Sequence, residues 1–301
     1  MPCGFIYGYQ YSEYPMQHSN GYFIVMNMTL EQLPGREYPI CFYQIPASGK
    51  QSPKGVILFN PAMDTRAKYY EPLALAFSGQ GYHVYIHELR GIGESPIRAT
   101  RDVDFGYLDL LEDLDVLVDH VQKSHQGLPT TIAGHSMGGQ LSLLYAAKFS
   151  SKITNVLLIA CGTPHHSGYS GKQKLLLSIV PYIFTTSALV YGYFPGKKLG
   201  FGGIQGKTLI NDWGVLAKSN RFSVQGDSFD YEKALRKIDF PVSVYCFETD
   251  AFAPEKSVKE IIKKLNPERV SFRCFSKGEL DFYADHMNWV KRSDWLIEQI
   301  L

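Results

Sequence analysis

The chain has 301 residues, of which 45% are hydrophobic, 14% aromatic and 20% charged, and 30 basic residues nearly balance 29 acidic ones for a net charge of +1. This is an ordinary globular composition, which excludes disorder, collagen and coiled coil as whole-chain descriptions. So even a balance argues against a nucleic-acid protein that relies on a broad basic field.

The length suits one large domain or two small ones. The five cysteines, Cys3, Cys41, Cys161, Cys246 and Cys274, are scattered and form no CxxC pair. No disulfide framework and no metal ribbon is expected from them. The N-terminus has no basic segment followed by an apolar one, so no signal peptide is expected. No uninterrupted apolar run reaches the ~20 residues of a membrane span. The expectation is a cytoplasmic protein in a reducing compartment.

In chain order, the runs Tyr22–Met28 and Tyr38–Ile45 read as strands, with Pro39 marking an edge or a strand start. Gly55–Asn60 reads as a buried strand, Tyr69–Gln80 as a helix, Tyr82–Ile86 as a strand and Asp104–Ser124 as a long helix. Then come strand Thr130–Ala133, helix Ser136–Phe149 and strand Val156–Ala160. Strands alternating with such helices imply a mostly parallel sheet. The alternation stops near Cys161. Residues 162–236 are rich in Gly, Tyr and Phe and read as a helical insertion. It resumes with strand Val242–Phe247, helix Pro254–Leu265, strand Arg269–Cys274 and a closing helix near Trp289–Ile300. Residues 1–161 and 237–301 are therefore expected to form one discontinuous core.

The strongest local signal is Gly134-His135-Ser136-Met137-Gly138, between a strand-like and a helical segment. That is the setting a G-x-S-x-G nucleophile turn requires. The glycines let the turn pass close to its neighbours. The serine hydroxyl then stands at a helix N-terminus, where developing negative charge is favoured.

A serine nucleophile needs a base, and the base an orienting acid. With the order Ser, acid, His, the histidines left after the nucleophile's helix are His165, His166 and His286. The first two come too early for an acid on a later strand to precede them, which selects His286. The acid should follow the strand Val242–Phe247. Asp250 does, with Glu248 as its rival, and the position just ahead of Pro254 favours Asp250. Oxyanion donors are expected from the backbone N–H groups of Met137, after the nucleophile, and Met63, in the loop after strand Gly55–Asn60.

These residues resemble an α/β-hydrolase, and more narrowly the monoacylglycerol-lipase and serine-aminopeptidase-like branch. The resemblance rests on GHSMGG at Gly134–Gly139, the Asn60–Met63 loop, Tyr70-Glu71-Pro72-Leu73-Ala74, and Arg90-Gly91-Ile92-Gly93-Glu94-Ser95. A group of bacterial predicted α/β-hydrolases of no assigned substrate resembles it more closely, through Gly192-Tyr193-Phe194-Pro195-Gly196-Lys197-Lys198-Leu199-Gly200 and a following Trp213. Pro61-Ala62 stand where the lipase branch has His-Gly, Asp64 where it has Gly, and Asp285 where Gly usually precedes the histidine.

The resemblance implies an α/β-hydrolase fold, a mostly parallel sheet flanked by helices with a helical cap inserted after the sixth strand. It implies a serine hydrolase cleaving a carboxylic ester or thioester through Ser136, Asp250 and His286, with no cofactor and no metal. The partner expected is a small lipid-like ester, with peripheral membrane contact open. The apolar run Leu175–Phe184 is expected to line an acyl pocket beside Ser136 or to pack the cap on the core. Acyl transfer, peptide hydrolysis and non-catalytic ligand binding remain as alternatives.

Overall fold

A computed structural model describes residues 28–49 and 51–301. The expected strand Tyr22–Met28 lies outside the described residues but for Met28, which is in no element.

An eight-stranded sheet organises the chain. The edge pair β1 (Thr29–Leu33) and β2 (Ile40–Ile45) is antiparallel, and β2 runs antiparallel to β4 (Tyr82–Glu88). β3 (Gly55–Asn60), β5 (Thr130–His135), β6 (Asn155–Ile159), β9 (Val242–Phe247) and β10 (Val270–Phe275) continue it in parallel, in the order β1-β2-β4-β3-β5-β6-β9-β10. β3 and β5 are near-continuous apolar or small runs because helices cover both faces of a parallel sheet. β2 begins at the residue after Pro39, where a missing N–H costs no ladder bond. β1 (TLEQL) was not expected; its mostly exposed side chains leave little hydrophobic signal.

The helices of the first half are α1 (Glu71–Gly79), α2 (Tyr107–Ser124) and α3 (Met137–Lys148). α3 is buried along all but its last residue, since it lies between the sheet and other helices. A helix surrounded this way shows no amphipathic stripe.

Between β6 and β9 stands the insertion: α4 (Gly171–Tyr191), the short antiparallel pair β7 (Tyr193–Pro195) and β8 (Ile204–Gly206), α5 (Gly196–Leu199), α6 (Lys207–Ser219) and α7 (Tyr231–Leu235). It is not wholly helical, because the Gly-rich stretch folds into that pair of strands. Pro181 sits inside α4 without ending it. α4 is long and apolar enough, by length and composition alone, to cross a membrane. A count of uninterrupted apolar residues passes over it, because Ser and Thr break the run. Phe184 of α4 packs on Phe194, Phe201 and Trp213, with ring centroids 4.9 to 6.0 Å apart. After β9 come α8 (Glu255–Ile262), β10 and α9 (Ser293–Ile300).

One carboxylate ties insertion to core. Asp212 of α6 is buried and accepts the N–H groups of Tyr107, the first residue of α2, and Gln225, each at 2.8 Å. A negative group suits a helix N-terminus. Burial outweighs those bonds and pushes its pKa from 3.8 up to about 6. A carboxyl raised in the folded state binds more protons there than when unfolded. The stability it contributes is therefore present below pH 3.8 and lost as pH rises through about 6. Asp212→Asn should flatten the decline of melting temperature across that window. An unchanged slope would show that Asp212 does not titrate there.

Candidate active site

Ser136 sits between the end of β5 and the start of α3, at φ 54° and ψ −120°. A non-glycine residue at positive φ is strained, and the surrounding structure must hold it. Two close approaches do so. A Cβ on Gly134 would lie 2.3 Å from the Gly138 backbone, and one on Gly138 would lie 2.0 Å from the Asn60 carbonyl oxygen. Glycine at both positions lets α3 press against β5 and against the loop after β3. Ser136 remains partly exposed.

The chain brings its three expected polar residues together. Ser136 Oγ lies 3.0 Å from His286 Nε2, and His286 Nδ1 lies 2.8 Å from Asp250 Oδ2. Asp250 is buried, and its Oδ1 accepts the N–H groups of Phe252 and Ala253 at 2.8 and 2.9 Å. With both oxygens so occupied, the carboxylate can accept the imidazole Nδ1–H only in one orientation. That leaves Nε2 as the acceptor for the serine hydroxyl. Glu248, the rival, is exposed and accepts the N–H of Lys277. His165 and His166 lie against one another outside this group, with ring centroids 4.1 Å apart.

The loop carrying His286 is fastened at several points. Trp289, fully buried, donates its indole N–H to the His286 carbonyl at 3.1 Å. Tyr69 donates its hydroxyl proton to the Met287 carbonyl at 2.8 Å. Asp285 accepts the N–H groups of Met287 and Asn288, so it shapes the turn and makes no bond to the imidazole. Thr249 donates to the Ala284 carbonyl and so joins this loop to that of Asp250. Phe252 leans on the imidazole, with ring centroids 5.4 Å apart.

Met137 opens α3, so its N–H is one of the helix's first four without an intrahelical partner. Met63 lies in the loop after β3. That loop is held by Tyr70, whose hydroxyl oxygen accepts the Ala62 N–H at 3.0 Å and meets His135 Nδ1 at 2.7 Å. Burial holds His135 far below the usual histidine range, so it stays neutral beside His286, 4.7 Å away between ring centroids. Asp64, where the lipase branch has Gly, takes the left-handed backbone a glycine would take, at φ 58°. Asp is one of the few residues that tolerate it. The insertion reaches this loop too: a Cβ on Gly202 would lie 2.8 Å from Met63 Sδ.

The expected acyl pocket differs. Pro181, Phe184 and Ala188 of α4 face the interior of the insertion, while Leu175, Leu176, Ile179 and Ile183 face solvent. Leu177 lines a small cavity of about 90 Å³ with His166, Ser178, Tyr182, Ala217 and Lys218, and none of Ser136, Asp250 and His286 borders it. A helix apolar all round can turn only one face inward. Sequence reading also missed Tyr70, Trp289 and Asp285 as supports. The adjacent Tyr69-Tyr70 pair, both polar-tipped and both ahead of a helix, was the available signal.

A family model described as serine aminopeptidase, S33, matches residues 51–215, more than half of the chain. The chain belongs to this family. The matched stretch contains Met63, Ser136 and Met137, while Asp250 and His286 lie beyond it. Human monoglyceride lipase is 31% identical over 124 residues, covering 41% of this chain and 39% of that protein. Monoacylglycerol lipase of Mycolicibacterium smegmatis is 29% identical over 118 residues, covering 39% of this chain and 41% of that protein. The matches thus span about two fifths of the length of these relatives. Over that stretch this S33 chain is similar to monoacylglycerol lipases. Among solved structures, the thioesterase domain from the curacin biosynthetic pathway superposes with TM-score 0.59 at 16% identity, over 91% of this chain and 99% of that one. The esterase domain from a Rhodothermus marinus protein gives TM-score 0.59 at 16% identity, over 91% and 96%. At such identity the likeness is one of fold, the α/β-hydrolase fold.

Tyr70→Phe should leave two buried groups, the Ala62 N–H and His135 Nδ1, without a partner. The expected cost is about 1–3 kcal/mol of stability, read by denaturant unfolding. A neutral result would mean that the loop after β3 is held some other way.

Proposed function

We propose that the chain is a serine hydrolase that cleaves a carboxylic ester or thioester with an apolar acyl group. The observation that carries this is the hydrogen-bonded series from Ser136 Oγ through His286 to Asp250, at 3.0 and 2.8 Å. Ser136 Oγ attacks the acyl carbon while His286 Nε2 takes its proton. Asp250 keeps the imidazole proton on Nδ1 and stabilises the imidazolium that forms. The N–H groups of Met63 and Met137 receive the oxyanion of the tetrahedral intermediate. Collapse expels the alcohol or thiol, which takes the proton back from His286 and leaves an acyl-serine. Water then repeats the sequence and releases the acid.

The strained Ser136 backbone supports this reading, since strain at one serine is retained where the hydroxyl must be presented. The named substrates of the relatives, monoglycerides, support an acyl ester. Peptide hydrolysis from an amino terminus is less well supported. It calls for a free carboxylate to receive the substrate's ammonium group, and of the four acids in the insertion Asp212 is buried, Asp227 pairs with Lys148, Glu232 pairs with Lys264 and Asp230 caps α7. Acyl transfer would use the same residues and differ only in what attacks the acyl-serine.

The test is turnover of p-nitrophenyl esters from acetate to palmitate. Ser136→Ala and His286→Ala should each lower kcat by at least about a thousandfold. Tyr70→Phe should lower kcat more than it changes KM, because it frees the loop that carries Met63 while leaving the triad. A fluorophosphonate should label the intact chain at Ser136. Absence of both turnover and labelling would overturn the hydrolase reading and favour ligand binding without chemistry.

A further inference from the structure

Two cysteines meet across the last strands of the sheet. In the parallel register of β9 and β10, Cys246 stands opposite Cys274. Registered residues on neighbouring strands lie about 4.8 Å apart, within the roughly 4.4–6.8 Å between Cα atoms that a disulfide spans. Their side chains leave the sheet on one face, and the two thiols are hydrogen-bond partners. The same ladder shows how closely small registered side chains approach. Ser271 donates to Ser243, its own opposite number, at 3.2 Å between Oγ atoms. The other described cysteines are placed differently. Cys41 accepts the Gln32 side chain, and Cys161 is fully buried against Gly139.

The two thiols are unequal. Cys246 is buried, while Cys274 is partly exposed. The Cys246 S–H donates to Cys274 Sγ. That bond lowers the pKa of Cys274, against its partial burial and the nearby Glu255 and Glu248, and Lys259 of α8 helps. The same bond, with burial, raises Cys246. Lys259 stands over the Phe272 ring, 5.7 Å from its centroid, and Phe272 is two residues from Cys274 on the same strand face. A lowered, reachable thiol beside a protonated one is the arrangement of an attacking and a resolving cysteine.

We propose that Cys246 and Cys274 are an oxidation site for peroxide, and that their disulfide shifts the loop of Asp250. The Cys274 thiolate attacks one oxygen of hydrogen peroxide. An S–O bond forms as the O–O bond breaks, hydroxide leaves, and Cys274 becomes a sulfenic acid. The Cys246 sulfur then attacks the Cys274 sulfur. The S–O bond breaks, and the hydroxyl leaves with the Cys246 proton as water. Altogether two thiols lose two hydrogens, and the peroxide becomes two waters. The consequence for the site follows from the strand ends. Thr249, three residues after Cys246, donates to the Ala284 carbonyl, two residues before His286. The Glu248 N–H bonds to the Phe275 carbonyl and the Asp250 N–H to the Phe247 carbonyl. Sulfurs in hydrogen-bond contact must close to about 2 Å to form the disulfide, and the strand end that yields carries Asp250 with it. The effect on turnover rests on the hydrolase reading, whereas the disulfide does not.

The pair is tested on the whole chain, fully reduced and then treated with hydrogen peroxide. Trypsin cuts after Lys237, Lys256, Arg273 and Lys277, so the disulfide joins peptide 238–256 to peptide 274–277. Mass spectrometry without reduction reads the join. The linked peptides are expected after peroxide and should vanish with dithiothreitol, since a strained disulfide is readily reduced. Cys246→Ala should stop at the sulfenic acid, captured by dimedone on peptide 274–277, and Cys274→Ser should capture none there. Mapping in the unaltered chain decides the point even where a variant fails to fold. In ester turnover, oxidation should lower kcat about tenfold and leave KM unchanged, and neither variant should respond. Unlinked peptides after peroxide would overturn the pair. Inhibition that persists in both variants would overturn its hold on Asp250. Linked peptides in a chain that turns over no ester and takes no fluorophosphonate would uphold the oxidation site and sink the hydrolase reading alone.

Discussion

The close approach of α3 to the end of β5 and to the loop after β3 is the constraint on which the site depends. It puts Ser136 in a backbone conformation that costs of order 1–3 kcal/mol. That cost is tolerable because α3 is buried almost from end to end, and its packing leaves the turn no freedom to relax. The glycines at 134 and 138 are what allow two backbones to pass so near. Since β3, β5, β6 and β9 are parallel, their carboxyl ends lie on one edge. The loops with Met63, Ser136 and Asp250 therefore emerge together, and His286 needs only one further loop to join them.

Much of this was legible in the residues themselves. The Gly-His-Ser-Met-Gly turn named both the serine and the direction of the sheet. Chain order then left His286 as the candidate base. The choice between Asp250 and Glu248 was weaker, because residues two apart on an extended segment point the same way. The structure separates them by a turn. The Asp250 N–H bonds back to the Phe247 carbonyl, and the chain curls so that Oδ1 caps Phe252 and Ala253. Glu248 has already left the sheet edge for Lys277. What could not be read were the supports. Tyr70 opens a segment that the family resemblance uses and Asp285 precedes His286, but what they and Trp289 bond to leaves no period in the sequence. A buried tyrosine that satisfies a backbone N–H looks, in one sequence, like any other core aromatic.

α4 shows a different limit. Its composition said that every face was apolar, and such a helix must be buried or lie against something apolar. Composition cannot say which face is covered. The aromatic cluster of Phe184, Phe194, Phe201 and Trp213 takes one face, and the small cavity beside Leu177 is bordered by none of Ser136, Asp250 and His286. Of the two readings open for this run, an acyl pocket or packing of the cap, the inner face shows packing.

The insertion joins two demands that pull against each other. A hydrolytic site works best where water is excluded, since hydrogen bonds to a developing oxyanion strengthen as the local dielectric falls. The proposed substrate, an ester with an apolar acyl group, must nevertheless reach that site. An insertion that presses a glycine turn on Met63 and sends Gln173 to the loop of Asp250 reaches that site from two sides. The aromatic packing on the inner side of α4 is then more than a filler for the cap. It holds α4 at a fixed place within the insertion, which also reaches the loops of Met63 and Asp250.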